Sequence, residues 1–320
     1  MRLLTAAFAL LIAGCASPPS ADFSFGLIGD LGYRPAQEPM VENVMRELNA
    51  EPLAFVVHDG DLGSPPNGSC TNELWARRLA QFQGSVHPLI YTPGDNEWTD
   101  CHAAEGAPGY EPLERLAALR ATFFRTNASL GQRAIPLVRQ AGYPENARWT
   151  YGDITFVTLH VVGSNNNRGR TPEGDAEYAA RNAADIAWLR EGFAAARASR
   201  AIMIIQQANI FPDFPPFPGG KPQEPNGYAE LRAALEEEAS AYRKPVVLVH
   251  GDSHYFRIDQ PLGRRTGRGG AGTPSLENFT RVETFGAPSH HWVQAFVRRD
   301  DPNVFSFRQR IVAPNVVPRN

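Results

Sequence analysis

Four short apolar runs along the chain each stop at the same kind of polar step. Phe25-Gly26-Leu27-Ile28 runs into Gly29-Asp30-Leu31-Gly32, and Phe55-Val56-Val57 into His58-Asp59-Gly60-Asp61-Leu62-Gly63. Pro88-Leu89-Ile90-Tyr91 stops at Thr92-Pro93-Gly94-Asp95-Asn96-Glu97, and Val246-Val247-Leu248-Val249 at His250-Gly251-Asp252-Ser253-His254. Such a run, bounded by glycine or proline, reads as a buried strand that delivers polar groups at its carboxyl end. Between the runs the apolar spacing turns helical. Met40, Val41, Val44, Met45 and Leu48 predict a helix over 37–49, and further helices are expected over 72–82 and 111–124. Trp149-Thr150-Tyr151 and the run 154–162 predict a hairpin turning at Gly152-Asp153. An Ala-rich helix over 175–199 places Ile186, Leu189 and Phe193 on one face, the signature of core packing. A buried strand over 201–205 ends in Gln206-Gln207-Ala208-Asn209, and Asn226 reads as the cap of a helix through Leu231 and Leu235. Two strands, over 292–298 and 304–308, close the pattern. Strands alternating with helices predict an α/β protein, and neither a repeat nor a linker divides the chain after Ser20.

Charge adds one exclusion. Acidic and basic residues nearly balance, 34 against 31, with no lysine-rich block or basic helix, so a nucleic-acid surface is not expected. The stretch 211–220, rich in Pro, Phe and Gly, reads as a rim loop. Gly267, Gly269 and Gly272 fit G-x-G-x-x-G, but no strand precedes them and Thr273-Pro274 blocks a helix directly after. They read as part of a basic loop rather than a dinucleotide fingerprint.

The amino terminus carries a different signal. After Met1-Arg2 comes an apolar stretch, 3–12, too short to span a bilayer. Ile12-Ala13-Gly14-Cys15 resembles the lipobox of bacterial lipoproteins, which implies a signal peptide over 1–14 and a lipid on Cys15. That lipid would hold the chain at a bacterial membrane, on the periplasmic or extracytoplasmic side of the cell envelope. Cleavage of an ordinary secretory signal after Ala16 fits the residues less well and would export the chain equally. Residues 15–21, with Ser17-Pro18-Pro19-Ser20, read as a tether of polyproline type, 22–312 as one domain, and 313–320 as a tail. With Cys15 lipidated, Cys70 and Cys101 form one even pair in an oxidising compartment. They sit in the loops after the second and third strand ends, and a disulfide between those loops is expected over two free thiols.

An aspartate at a strand end often caps the following helix, but a helix cap does not need glycine before each carboxylate. Four Gly-Asp steps together with His254 point to one shared site. Clustered carboxylates repel, and bound cations relieve the repulsion. Two metals sharing a carboxylate can clamp a phosphoryl oxygen and activate a water for in-line attack.

The order of these motifs resembles that of the calcineurin-like metallophosphoesterases, which include the purple acid phosphatases, from Phe23 to about Phe307. That family runs Asp-x-His, Gly-Asp, Gly-Asn-His-Glu or -Asp, a lone His after a strand, then Gly-His-x-His. Asp30 matches the first aspartate, with Gly32 where the His would stand. The purple acid phosphatases share that glycine and supply a tyrosine from the second motif, where this chain has Ser64. Asp61 matches the bridging aspartate. Asp95 and Asn96 replace the Asn and the His credited with protonating the leaving group, and Glu97 is retained. Gln207 stands at the lone His; Asp252 replaces the first His of the last motif, and His254 matches the second.

The resemblance implies a four-layer α/β/β/α sandwich of two mixed sheets, with divalent metal ions, two of them, at the carboxyl ends of the strands. Asp30, Asp61 and His254 would form one metal position; Asp61, Asp95, Gln207 and Asp252 would form the other. Exchange of imidazoles for oxygen ligands favours Mg²⁺, Mn²⁺ or Ca²⁺ over Zn²⁺ or Fe. The implied activity is hydrolysis of a small phosphate mono- or diester by a metal-activated water. The alternative is a non-catalytic cell-envelope binding protein that keeps the scaffold and a structural cation. Asn96 cannot act as an acid, though it can hydrogen-bond a phosphoryl oxygen. His250 is the first choice of proton donor, ahead of His58 and His160. Arg34, His160, Asn165, Asn166 and Arg168 are candidates for contacting the substrate.

Overall fold

The apolar runs and helical stripes assemble into two mixed β-sheets facing one another, each covered outside by helices. The computed structural model describes residues 22–103, 109–211, 226–263 and 275–316. In chain order the main elements are β1 (Phe23–Ile28), α1 (Glu38–Ala50), β2 (Val56–His58), α2 (Asn72–Gln83), β3 (Leu89–Tyr91) and α3 (Pro112–Phe123). There follow β4 (Val138–Gln140), β5 (Tyr143–Tyr151), β6 (Ile154–Thr158), the single turn α4 (Gly163–Asn166), α5 (Pro172–Ala195), β7 (Ala201–Ile205) and α6 (Ala229–Tyr242). The chain closes with β8 (Val246–His250), β9 (Arg257–Asp259), β10 (Phe279–Glu283), β11 (Trp292–Val297) and β12 (Phe305–Arg310).

One sheet has five strands in the order β12-β11-β1-β2-β3, the other seven in the order β4-β5-β6-β7-β8-β10-β9. Parallel pairing joins β1, β2 and β3 in the first sheet, and β6, β7, β8 and β10 in the second. The flanking pairs are antiparallel. Phe25, Phe55, Trp149, Phe156, Met203 and Val249 fill the space between the sheets. Val44, Leu48, Trp75, Phe82 and Leu119 pack α1, α2 and α3 on the outer face of the first sheet. Trp188, Leu189, Phe193, Leu231 and Leu235 pack α5 and α6 on the second. The strands are therefore covered on both faces, which is why they read as continuous apolar runs. The four-layer α/β/β/α expectation holds.

Local chemistry sets the helix starts. Thr71 Oγ1 accepts from Leu74 N at 3.2 Å to open α2, and Thr171 Oγ1 accepts from Gly174 N at 3.0 Å before Pro172 opens α5. Asn226 is not the cap of α6. Its side chain accepts from Tyr228 N at 2.8 Å, two residues along, and the helix begins at Ala229. β6 stops at Thr158 rather than at 162, because the chain leaves the ladder on its way to the turn at Gly163. The domain also continues past 312. Asn315 is buried and donates to Met40 O and His290 O, fastening the last described residues to α1. Cys15 and the tether, residues 212–220 of the expected rim loop, and residues 264–272 of the basic loop lie outside the described residues. No helix among the described residues is long and apolar enough to cross a membrane.

Cys70 and Cys101 are joined by a disulfide. Both residues are buried, and both sulfurs lie close to Asn96 O, at 3.6 and 3.7 Å, so the bridge sits behind the third strand end. It closes a loop with a sequence separation of 31, for which chain-entropy arithmetic gives about 3–4 kcal/mol. Cys101→Ser is expected to lower the stability by roughly that amount. Urea unfolding of the oxidised parent and the variant measures it, and an unchanged midpoint would show that the bridge contributes nothing.

Candidate metal centre

The parallel strands of both sheets end on the same side. Asp30 follows β1, Asp61 follows β2, Asp95 follows β3, Gln207 follows β7, and Asp252 and His254 follow β8. The two sheets meet through these loops: Asp252 N donates to both oxygens of Asp30, at 3.3 and 3.1 Å. The Gly-Asp grammar now has a physical reason, since the glycine of one motif makes room for the side chain of another. A methyl group at Gly94 would lie 1.9 Å from Asp61 Oδ1, and one at Gly251 would lie 2.0 Å from Asp30 Oδ2. Asp30, Asp61, Asp252 and His254 all have positive φ, between +51° and +71°. Non-glycine residues adopt that conformation at a cost of roughly 1–3 kcal/mol each, and such strain concentrates at functional sites.

Asp30, Asp61 and His254 come together, their ligand atoms all within 4.8 Å of one another. The aspartates are buried and the imidazole is partly open. His254 Nδ1 lies 2.7 Å from Ala287 O, which can only accept, so Nδ1 carries a proton. That fixes the ring and turns Nε2 toward Asp30 Oδ1, at 3.3 Å. A carbonyl holding one imidazole nitrogen while the other faces carboxylates is the usual support of a metal-ligating histidine.

A residue that the sequence reading passed over completes the group. The phenol of Tyr33 lies 2.5 Å from Asp61 Oδ2, 3.2 Å from Asp30 Oδ1 and 3.0 Å from His254 Nε2. Tyr33 comes from the first motif, three residues after Asp30. Ser64 hydroxyl instead donates to Tyr33 O at 2.8 Å and steadies that loop. No run or spacing in the sequence marks this residue: the left-handed φ of Gly32, which turns the chain so that the ring reaches back to Asp30, is seen only in the structure.

The remaining candidates are placed differently from expectation. The Asn96 amide is turned into the protein. Its Nδ2 donates to Asp61 Oδ2 at 2.9 Å and to Gly63 O at 3.0 Å, so both hydrogens have partners within the protein, one of them Asp61. His250 is fully buried, with Nδ1 2.8 Å from Gly251 O, and burial pushes it down to about 3, which keeps the imidazole neutral. His160 is equally buried, its Nδ1 2.7 Å from Glu145, in a cluster with Arg120 and Arg181. Burial lowers the pKa of this imidazole, so the contact is a buried hydrogen bond to Glu145 in the core. His58 is buried among Phe82 and Tyr91, and burial lowers it to about 3. Asn165 accepts from Gly227 N at 2.8 Å and donates to Arg168 O at 3.1 Å, tying the α4 turn to the start of α6. Asn166 is held by Arg181 in the same turn, and the Arg168 guanidinium lies over the Tyr178 ring. Arg34 follows Tyr33 in the chain and is exposed, and its backbone N–H donates to Gln37 Oε1 at 2.9 Å.

No family model matches the chain, and no curated protein matches it. Among solved structures it is similar to vacuolar protein sorting 29 from Cryptosporidium parvum and to YfcE, a phosphoesterase from E. coli. Each likeness is 10% in identity with a TM-score of 0.31, covering 90% of this chain and 97% and 99% of the respective partner. Resemblance this distant carries no argument about the site.

The electrostatics of the site do carry one. Burial, then the charges of Asp95, Glu97 and Asp30, push the Asp61 carboxyl well above the usual range. Burial and Asp252 do the same to Asp95, and burial with Asp30 raises Asp252 to about 6. Burial works against a charged His254, but its hydrogen bond and ion pair with Asp30 outweigh that and lift it to about 9. The imidazole is thus the one cationic partner that faces this carboxylate group among the described residues. Buried carboxylates in mutual repulsion, gathered around an oriented imidazole nitrogen, fit a divalent cation.

Proposed function

We propose that the chain is a metal-dependent hydrolase of phosphate esters, with Asp30, Asp61 and His254 holding a divalent cation beside Tyr33. The observation that carries this reading is the convergence of Asp30, Asp61 and His254, brought from three separate strand ends into one group. The order of the motifs, which resembles that of the calcineurin-like metallophosphoesterases, supplies the reaction class. A cation bound there supplies Lewis-acid polarisation of a phosphoryl oxygen and a water acidic enough to attack at neutral pH. The chain's own residues supply the placement. Asn96 and Tyr33 hold the Asp61 carboxylate from two directions, the Ala287 carbonyl aims His254, and Asp252 N holds Asp30. Arg34, exposed and next to Tyr33 in the chain, is the candidate for binding a substrate oxygen. An oxygen-rich ligand set favours Mg²⁺, Mn²⁺ or Ca²⁺. The buried disulfide supports folding in an oxidising compartment, in keeping with an exported and lipid-anchored chain.

Hydrolysis of nitrophenyl phosphate mono- and diesters with Mg²⁺, Mn²⁺, Ca²⁺ or Zn²⁺ tests the reading directly. Turnover is expected with Mn²⁺ or Mg²⁺. A folded protein that binds the cation but hydrolyses neither ester would be a binding protein on this scaffold. Tyr33→Phe removes the hydroxyl that touches Asp61, Asp30 and His254 while keeping the ring. It is expected to weaken cation affinity about 10- to 100-fold, the range for groups that support metal ligands. Calorimetric Mn²⁺ titration reads this, and equal affinity in the two proteins would remove Tyr33 from the site.

A further inference from the structure

Gln207 stands where the sequence pattern predicted a ligand of a second metal, and its hydrogen bonds give it another part. The side chain is fully buried at the end of β7. Its Oε1 accepts from Gly163 N at 2.6 Å. A backbone N–H can only donate, so the amide orientation is fixed and the NH₂ group faces the other way. Nε2 then donates to Asp95 Oδ1 at 3.1 Å and to Asp252 Oδ1 at 3.4 Å. The stem cannot swing aside, because Gly60 packs so closely that a methyl there would lie 2.6 Å from Gln207 Cγ. Gly163 closes the opposite side, and a methyl on it would lie 2.4 Å from Asp95 Oδ2 and 2.6 Å from Asp252 Oδ1. Asp252 Oδ2 is also taken, accepting from Asn209 N at 3.2 Å.

We infer that the Gln207 amide occupies the second cation position, so that the chain holds a single divalent cation, at Asp30, Asp61 and His254. This rests on the metal-dependent reading above. Two carboxylates that would otherwise need a cation share the two hydrogens of one neutral amide, while the oxygen able to bind a metal is turned away from them, toward Gly163 N. On this inference Asp95 and Asp252, expected with Asp61 and Gln207 to hold a second metal, are bridged by the Gln207 amide instead. The substitution of the lone His by Gln is in this view a replacement of the metal, not of its ligand.

The test is metal stoichiometry on the purified, disulfide-bonded chain, by calorimetric Mn²⁺ titration and Mn²⁺ paramagnetic resonance. One equivalent per chain with the spectrum of an isolated ion is expected. Two equivalents with a spin-coupled signal would overturn the inference and leave the metal-dependent reading standing. No binding would end both. Gln207→Glu exchanges the bridging NH₂ for a carboxylate oxygen and is expected to admit a second Mn²⁺, visible as a coupled signal. Gln207→Ala, which removes the amide and leaves both aspartates facing an opening, is expected to do the same. A folded variant of either kind that still takes one equivalent would also count against the inference, and the wild-type stoichiometry decides it even if both variants fail to fold.

Discussion

Asp61→Asn is expected to abolish turnover and reduce cation affinity by more than the roughly 100-fold typical of outer-shell changes, without unfolding the protein. The carboxylate is buried at 2% exposure and does two jobs. It supplies negative charge to the group with Asp30 and His254, and it accepts from Tyr33 hydroxyl, Asn96 N and Asn96 Nδ2. An amide in its place removes the charge and must turn its NH₂ toward one of those donors. Stability should move the other way. Burial and the charges of Asp95, Glu97 and Asp30 hold the Asp61 carboxyl well above its ordinary range, so keeping it ionised in the metal-free folded chain costs stability. A folded pKa raised above the unfolded one means that ionisation costs stability as pH rises, and a neutral side chain escapes that cost. In metal-free buffer at pH 7 the variant should unfold at an equal or higher urea concentration than the parent. Loss of function with gain of stability is the mark of a strained site. A variant that keeps cation affinity, or one that simply fails to fold, would sink this account of Asp61.

The architecture was legible because apolar patterning decides it. Strands buried on both faces leave unbroken apolar runs, and β1, β2, β3, β7 and β8 fall where those runs lie. β10 was hidden by its own pairing. Arg281 and Glu283 interrupt its run, yet both are buried, because Arg281 pairs with Asp259 and Glu283 with Arg257 across the adjoining strand. A pattern of hydrophobic positions cannot anticipate a charge that is matched inside the fold. The site divides the same way. Asp30, Asp61 and His254 could be read because glycine before each aspartate reports close approach between motifs. What polar side chains do with their hydrogen bonds could not be read. Asn96, His250 and His160 sit at suitable strand ends, but each is already engaged with protein or closed off from solvent, which only the packed structure decides. Tyr33 was missed for the converse reason: its ring reaches back across a turn that no run or spacing marks.

Glu97→Ala is expected to cost more stability than any other single truncation at the site. The side chain has no exposed surface and accepts from Asp61 N at 3.2 Å, from Gly94 N at 2.8 Å and from Leu62 N. Burial raises its carboxyl to about 7 even though those three donors pull it down, so the group is held by hydrogen bonds rather than by solvent. Truncation leaves three backbone donors buried without a partner, at roughly 1–3 kcal/mol each. The sum, about 3 kcal/mol at the least, is a large share of the 5–15 kcal/mol typical of a folded protein. The damage is also directed. Asp61 is held at φ +59° by the loop that Glu97 staples to the third strand end, and a relaxed loop would carry the carboxylate away from Asp30. Glu97→Ala should therefore lose both stability and cation binding, where Asp61→Asn loses binding alone. Glu97→Gln, which retains one acceptor oxygen but turns an NH₂ against a backbone donor, should fall between the parent and the truncation. Urea midpoints of the three variants, measured beside Mn²⁺ titrations, separate these outcomes. A Glu97→Ala protein with the parental midpoint would show that the three donors find other partners, and that Asp61 does not depend on Glu97 for its place.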